Sequence, residues 1–209
     1  MPPGESDEHL LEAWRGGDAA AGEVLFSRHF ESVHRFFANK VWGAEIDDLI
    51  QETFLGCVRG RDRVVTSFRA YLFGAARLQL LKHIERSRRG QREDEYHSAR
   101  VAALDASPSQ LAVAEEEQQL LLRALRRLPI EHQILVELYY WEGLGSLEIS
   151  EVLEIPHGTV RSRLRRARAL LATLVEEVAS SPQLARSTLG NFEGWVRSLR
   201  EKSPAGRRS

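Results

Sequence analysis

The stretch Gly145 to Arg168, GSLEISEVLEIPHGTVRSRLRRAR, decides the fold of the C-terminal half of this chain. Apolar residues recur at helical spacing on both sides of Pro156, which opens a helix rather than continuing one. The pattern predicts two short helices joined by a tight turn, with arginines and no acid in the second helix up to Arg168. A helix-turn-helix that places a basic helix in the DNA major groove has this arrangement. The alternative is a surface helix hairpin with a solvated basic face.

Charge is segregated along the chain, although the net charge of the 209 residues is only −1. Between Arg77 and Arg92 six basic residues stand against one acid. From Glu93 to Glu117 seven acids stand against one base. Because local fields rather than the total charge decide what binds, nucleic acid stays a possible partner.

Several classes of site are not expected from the composition. Cys57 is the only cysteine, so an internal disulfide or a cysteine metal cluster is excluded, and its apolar neighbours indicate a core position. There is no glycine-rich phosphate loop and no His/Asp/Glu cluster at metal spacing, so we expect no catalytic residues, no metal and no cofactor. The first residues do not resemble a signal peptide, and no apolar run approaches the ~18 residues of a membrane span. These features predict a soluble, cytoplasmic protein without membrane insertion.

The hydrophobic pattern predicts an all-α fold of two helical domains joined by a flexible linker. Helical periodicity covers residues 7 to about 89, is lost in the polar stretch 90–113, and returns from 114 to 178. We therefore expect domains at 1–89 and 114–178, the second a four-helix domain with the helix-turn-helix. The remaining segment, 179–209, is an extension whose apolar residues have the spacing of a short amphipathic helix: Leu189, Phe192, Trp195, Val196 and Leu199. That helix either packs on the preceding domain or acts as a regulatory element.

A second motif lies in the first half, where Glu45 to Leu55 reads EIDDLIQETFL. A helix here has an apolar side and an acidic side, and a solvated acidic face is the default interpretation. A basic segment, Arg59 to Arg63, and the sequence SFRAYL, from Ser67 to Leu72, follow it. Arginines interleaved with aromatic rings suit single-stranded nucleic acid, although Phe68 and Tyr71 also have the spacing of core residues.

The order of these motifs resembles the extracytoplasmic-function (ECF) sigma factors. EIDDLIQETFL, then SFRAYLFGAAR, a basic run, an acidic linker and the helix-turn-helix follow one another as they do in that family. The resemblance covers Asp7 to Arg89, which match region 2, and Glu115 to Val175, which match region 4. It implies a protein that is not an enzyme and that directs RNA polymerase to promoters, in the context of a stress response.

The resemblance also implies binding residues. Those expected on the β′ clamp coiled coil of core polymerase are Asp47, Asp48, Leu49, Gln51, Glu52 and Phe54. Those expected at the −10 DNA are Arg61, Arg63, Ser67, Phe68, Arg69, Tyr71, Lys82, Arg86, Arg88 and Arg89. Those expected at the −35 DNA are His157, Thr159, Arg161, Ser162, Arg163, Arg165, Arg166 and Arg168. Residues expected to cradle the β flap and form the core beneath the DNA reader are Leu125, Leu128, Ile134, Leu138 and Tyr139. An anti-sigma factor is a further expected partner.

The chain departs from the family pattern at a few positions. Glu154 stands in the turn where the family usually has Gly, so the turn geometry is expected to differ slightly. Tyr71, Leu78 and Lys82 replace the usual Trp, Asn and Asp, so no −10 sequence can be transferred. Two other functions stay open at this point. One is a regulator that binds operators through its helix-turn-helix, and the other is a sigma-like decoy that occupies polymerase or an anti-sigma factor without starting transcription.

Overall fold

The computed structural model describes residues 5–41, 43, 45–64, 67–94, 114–192 and 194, and every regular element within these ranges is helical. The predicted all-α fold is therefore confirmed. The helices are α1 Asp7–Arg15, α2 Ala19–Ala38, α3 Glu45–Gly60, α4 Phe68–Asp94, α5 Ala114–Arg126, α6 Ile130–Tyr140, α7 Ser146–Leu153, α8 His157–Val178 and α9 Pro182–Gly190. A 3-10 turn, Arg61–Arg63, joins α3 to the segment before α4.

Short polar residues start several of the helices. The hydroxyl of Ser6 accepts from the backbone N–H of His9, and the carboxylate of Asp18 accepts from that of Ala20 at 2.9 Å. Ser181 caps α9 in the same way. Each cap satisfies a backbone donor that has no partner inside its helix.

The first half packs its four helices around aromatic side chains. The indole of Trp14 meets Phe26 and Phe68 edge-on, with ring centroids 5.3 and 6.4 Å apart. Phe73 and Cys57 are fully buried in the same core. Burial raises the pKa of the Cys57 thiol to about 12, so this cysteine is an inert core residue, as expected.

The second half has its own apolar cluster between α5, α8 and α9. Ala167, Leu171 and Val175 supply the buried stripe of α8. Phe192 closes the cluster from the C-terminal side, with its ring centroid 4.9 Å from that of Tyr140. The described part of the extension therefore packs on the preceding helices, and the expected positions Trp195, Val196 and Leu199 lie outside the described residues.

The two halves also pack against each other. The apolar cluster of the first half continues into α6, α7 and the start of α8, and α7 lies against α4. Residues 95–113, which make up most of the expected linker 90–113, lie outside the described residues. Helix α4 itself extends to Asp94. In the described ranges, no helix combines the length and the apolar character needed to cross a membrane.

Asp7 ties α1 to α2. Its two carboxylate oxygens lie 2.5 Å from the Arg28 guanidinium and 2.7 Å from Nε2 of the buried His29. Burial alone raises the pKa of Asp7, but the hydrogen bonds and charges of His29 and Arg28 outweigh it and hold the pKa well below its ordinary value.

We therefore expect Asp7→Asn to lower the free energy of unfolding by about 1–3 kcal/mol at pH 7, because the charge-assisted hydrogen bonds are lost. A carboxyl group whose pKa is lower in the folded than in the unfolded protein stabilises the fold at pH values above its unfolded pKa. This stabilisation is lost as the pH falls. The difference from wild type should thus be complete above about pH 5 and shrink below about pH 4. Urea unfolding followed by circular dichroism measures it, and Glu8→Gln, an exposed acid one position along, serves as the control. An equal effect of both substitutions at pH 7 would contradict this account of Asp7.

Candidate protein and nucleic-acid interfaces

An open apolar groove runs between α2 and α3. Its lining consists of Phe26, Phe30, Ile50, Phe54, Leu55 and Val58, with Asp47 and Gln51 at the rim. Phe30 is 43% exposed, Leu55 36% and Val58 43%. Large apolar side chains left this exposed in one groove mark a surface for a protein partner.

The residues expected on polymerase only partly coincide with this groove. Asp47, Asp48, Gln51 and Glu52 are exposed, and Phe54 lines the groove. Leu49 is only 6% exposed and lies in the core, so in this structure its side chain is not part of the surface that a partner would contact.

Sequence reasoning missed five lining residues: Phe26, Phe30, Ile50, Leu55 and Val58. Their spacing was a usable signal, because positions four apart on α2 and three apart on α3 share one helix face. On the face that lines the groove, α2 and α3 each carry apolar residues in addition to those that they bury in the core of the first half.

The loop before α4 is fixed from beneath by α1. The Arg15 guanidinium donates to the backbone carbonyls of Arg61 and Val64. The Arg61 guanidinium lies over the Trp14 ring, 5.6 Å from its centroid, and Arg63 is exposed. These contacts hold the basic loop against the first half.

The entrance to α4 separates core residues from surface residues. Phe68, expected at the DNA, is 2% exposed and packs on Trp14, so in this structure its ring belongs to the core of the first half. Tyr71 is half-buried, and its hydroxyl would lie 1.8 Å from a Cβ at position 60, which explains the glycine there.

Other residues expected at the −10 DNA differ in their surroundings. Lys82, Arg86 and Arg88 are exposed along α4, and the side chain of Arg89 lies outside the described residues. Ser67 and Arg69 are half-buried and contact acids of the second half. The Ser67 hydroxyl donates to Glu148 at 2.7 Å, and Arg69 pairs with Glu142 at 3.6 Å.

The helix-turn-helix has the predicted form, with α7 and α8 separated at Pro156. The Glu148 carboxylate accepts from the backbone N–H of Gly145 at 2.8 Å and so caps the start of α7. Glu154 ends α7 with φ 55° and ψ 42°, in the left-handed region. Among the described non-glycine residues it alone has a positive φ, so the turn keeps the backbone that a glycine would give.

The face of α8 that carries the expected −35 residues is turned to solvent. Val160, Ala167 and Leu171 are buried on the opposite face. The expected residues that are exposed are His157, Arg161, Ser162, Arg163, Arg165, Arg166 and Arg168, while Thr159 is half-buried. A dense arginine face on the second helix of a helix-turn-helix suits a DNA groove and its phosphates.

Most of the residues expected beneath the DNA-reading helix, α8, are buried in the core. Leu125, Leu128, Ile134 and Leu138 are at most 5% exposed, whereas Tyr139 is half-buried and lines a cleft beside α8. The described ranges contain no group of three or more His, Cys, Asp or Glu residues placed to hold a metal.

Glu154 should carry a cost for its left-handed backbone. We expect Glu154→Gly to raise the free energy of unfolding by about 0.5–1 kcal/mol, since glycine adopts this conformation without the Cβ clash. Glu154→Ala removes the same carboxylate but keeps Cβ, and it should not stabilise. Thermal unfolding of both variants separates the two effects, and a stabilisation by Ala equal to that by Gly would assign the gain to the lost charge.

Comparisons with known proteins agree on a single family. The sigma-70 region 2 profile matches residues 25–90, and the sigma-70 region 4 profile matches 118–171. The ECF RNA polymerase sigma factor SigM of Mycobacterium tuberculosis is 32% identical over 177 residues, which cover 81% of this chain and 85% of that protein. The ECF RNA polymerase sigma-E factor of Escherichia coli is 27% identical over 182 residues, covering 82% and 95%.

Two solved structures share the fold at 21% identity. CnrH in complex with the cytosolic domain of CnrY superposes with a TM-score of 0.60, covering 84% of this chain and all of that chain. The sigma factor RpoE of Bartonella quintana, in complex with the anti-sigma factor NepR, gives a TM-score of 0.57 and covers 74% and 96%.

Proposed function

Because the chain belongs to the ECF RNA polymerase sigma factors, a family of transcription initiation factors and not of enzymes, we propose that it recruits core polymerase to promoters by binding both −10 and −35 DNA. One observation carries the proposal. The chain exposes an acid-rimmed apolar groove in its first half and an arginine face on a helix-turn-helix in its second half. The first surface suits a protein partner and the second suits DNA.

The groove between α2 and α3 is the proposed site for the β′ clamp coiled coil. Its apolar floor would bury the exposed ring of Phe30 and the half-buried ring of Phe54 against a partner helix. The acids Asp47, Asp48 and Glu52 would lie against basic side chains of that helix. Charge complementarity of this kind sets orientation and speeds association.

The proposed −10 surface lies along the N-terminal part of α4, from Ser67 onward. Arg63, Arg69 and Tyr71 combine guanidinium groups for phosphates with a ring that can meet an unstacked base. Further along α4 the exposed Lys82, Arg86 and Arg88 extend the basic surface, and these would contact backbone phosphates rather than read sequence.

The N-terminal turns of α8 are the proposed −35 reader. Arg161, Ser162 and Arg165 lie near the start of the helix, where base edges are in reach, and arginine pairs best with guanine. Arg163, Arg166 and Arg168 would position the helix on phosphates. Two weak interfaces on one chain give a large combined affinity, because the second binds at a high effective concentration.

An anti-sigma factor is a further proposed partner. Both structural neighbours named above are complexes, one with the cytosolic domain of CnrY and the other with the anti-sigma factor NepR. We place the activity in the cytoplasm, where polymerase and the chromosome meet.

Run-off transcription tests the proposed function as a whole. The purified protein with core polymerase should start transcripts from a genomic DNA library at sites that share −10 and −35 sequences. Operator binding without core polymerase would instead indicate a regulator. Core binding without transcripts would indicate a decoy.

Asp48→Arg should weaken core binding by on the order of tenfold, or ~1.4 kcal/mol, because an exposed acid of α3 becomes a cation facing the proposed basic partner helix. Fluorescence anisotropy of labelled protein titrated with core polymerase measures this affinity. Glu12→Arg makes the same charge change on an exposed site of α1 and should leave it unaltered. Equal losses of affinity in both variants would show that the effect comes from the change in net charge and not from the position of Asp48.

Arg161→Ala should spare core binding and reduce initiation at promoters that carry a −35 element. The lost contact to a base edge corresponds to about 1–3 kcal/mol of discrimination at one base position. Arg186→Ala removes an exposed arginine from α9 and is the control. Unchanged initiation by Arg161→Ala at such promoters would show that this side chain does not read the −35 element.

A further inference from the structure

We infer that the two halves of the free protein close on each other through a set of ion pairs, here termed the latch, and that closure covers the −10 side of α4. The latch consists of Arg35, Lys40, Arg69 and Arg77 in the first half and Glu131, Glu137 and Glu142 in the second. In these four ion pairs the cations come from the first half and the acids from the second. Closure itself is a property of the fold, whereas its consequence for the −10 strand rests on the proposed function.

The centre of the latch is the pair between Lys40 of α2 and Glu137 of α6, whose side chains are 1% and 5% exposed. The Lys40 ammonium donates to the Glu137 carboxylate and, at 2.7 Å, to the Phe36 carbonyl. Gln133 donates to the other oxygen of Glu137 at 3.1 Å. Burial lowers the pKa of Lys40 and raises that of Glu137, while their mutual attraction opposes both shifts. Either charge would be costly to bury at this position without the other, so the pair favours the one arrangement of the halves that brings Lys40 and Glu137 together.

Glu142, which follows α6, forms the second part of the latch. Its carboxylate lies 2.6 Å from the Arg35 guanidinium and 3.6 Å from that of Arg69, and only 4% of its side chain is exposed. Arg69 also donates to the backbone carbonyl of Glu142. One acid of the second half therefore engages both α2 and α4.

An apolar contact lies beside the ion pairs. Ile149, Val152 and Leu153 of α7 belong to the same buried cluster as Phe73 and Ala76 of α4. Buried apolar side chains flanked by polar pairs are the anatomy of a specific protein interface. The contact between the two halves thus has the composition of a specific interface.

Closure places acids of the second half against the first turns of α4, where the proposed −10 surface begins, while Lys82, Arg86 and Arg88 further along α4 stay exposed. Ser67 and Arg69 already bind Glu148 and Glu142. Beyond them lies a cleft of about 480 Å³, with Arg63, Tyr71 and Arg77 among the first-half residues and Glu151 and Glu154 among those of the second half. The carboxylates of the second half stand where the phosphates of a DNA strand would bind, so the strand has to displace them.

The other two proposed surfaces stay accessible in the closed form. Phe30 and Val58 remain exposed in the groove for polymerase, and Arg161 and Arg165 remain exposed on α8. Polymerase can therefore bind α2 and α3 before the halves separate, and the −10 strand only afterwards. This order would keep the free protein from binding single strands without polymerase.

Pulsed electron paramagnetic resonance on the full chain tests closure. Spin labels at Ser27→Cys on α2 and Thr173→Cys on α8 report the separation of the halves, and both positions are exposed. Cys57 stays unlabelled because it is buried. The wild-type latch should give one narrow distance distribution. A broad distribution for this protein alone would overturn closure.

Charge exchange tests the latch. Glu137→Lys and Lys40→Glu should each lengthen and broaden the distances, because like charges then face each other. The double variant Lys40→Glu with Glu137→Lys should restore the narrow distribution, and Glu12→Lys is the control for added charge. Circular dichroism verifies that helix content is kept, and Glu142→Gln, a milder change, should also broaden the distances if the charge exchanges fail to fold. Unchanged distances in folded Glu137→Lys and in Glu142→Gln would overturn the latch.

Binding of a labelled single-stranded oligonucleotide with the −10 sequence found by run-off transcription separates closure from the proposed function. If the open form is a minor population of about one tenth, Glu137→Lys should bind on the order of tenfold more tightly than wild type. The double variant should return to the wild-type affinity. Open distances without a gain in strand binding would leave closure standing and overturn the proposed −10 role of α4.

Discussion

The packing of α7 against α4 is the contact on which the arrangement of the whole molecule depends. The first turns of α4 have apolar residues on nearly every side, because one side completes the core of α1, α2 and α3 and the other meets α7. Phe68 and Phe73 are buried in this way, and Ser67 and Arg69 bind the second half. A helix that is apolar all around requires partners on both sides, and in this chain the second partner comes from the helix-turn-helix.

Local signals were enough to predict the helices and the turn of the helix-turn-helix. Pro156 lies at the predicted break between α7 and α8, and the start of α3 follows from the EIDDLIQETFL pattern. Glu154 illustrates how far such reasoning extends. The departure from glycine was visible in the sequence, but the expected change in the turn did not follow, since the glutamate adopts the left-handed backbone.

Contacts between distant parts of the chain could not be predicted in the same way. Lys40 and Glu137 are 97 positions apart, and nothing in either local sequence indicates that both side chains are buried. Leu49 and Phe68 were expected at binding surfaces because their motifs place them there, yet the helix faces that carry them point inward. The residues of a surface motif therefore divide into contacts and supports only when the neighbouring helices are known. Arginines divide likewise, since Arg69 and Arg77 pair with acids while Arg161 and Arg165 face solvent.

Ser67 joins two structural roles in a single hydroxyl group. Its oxygen accepts from the backbone N–H of Ala70 at 3.0 Å and so caps α4, while its proton is donated to Glu148. A hydroxyl accepts and donates through different parts of the group. When the halves part, the proton can rotate towards water or a phosphate oxygen while the cap stays in place. The first turn of α4 would then need no refolding between the two states, and the exchange of one hydrogen-bond acceptor for another is the whole local change at this residue.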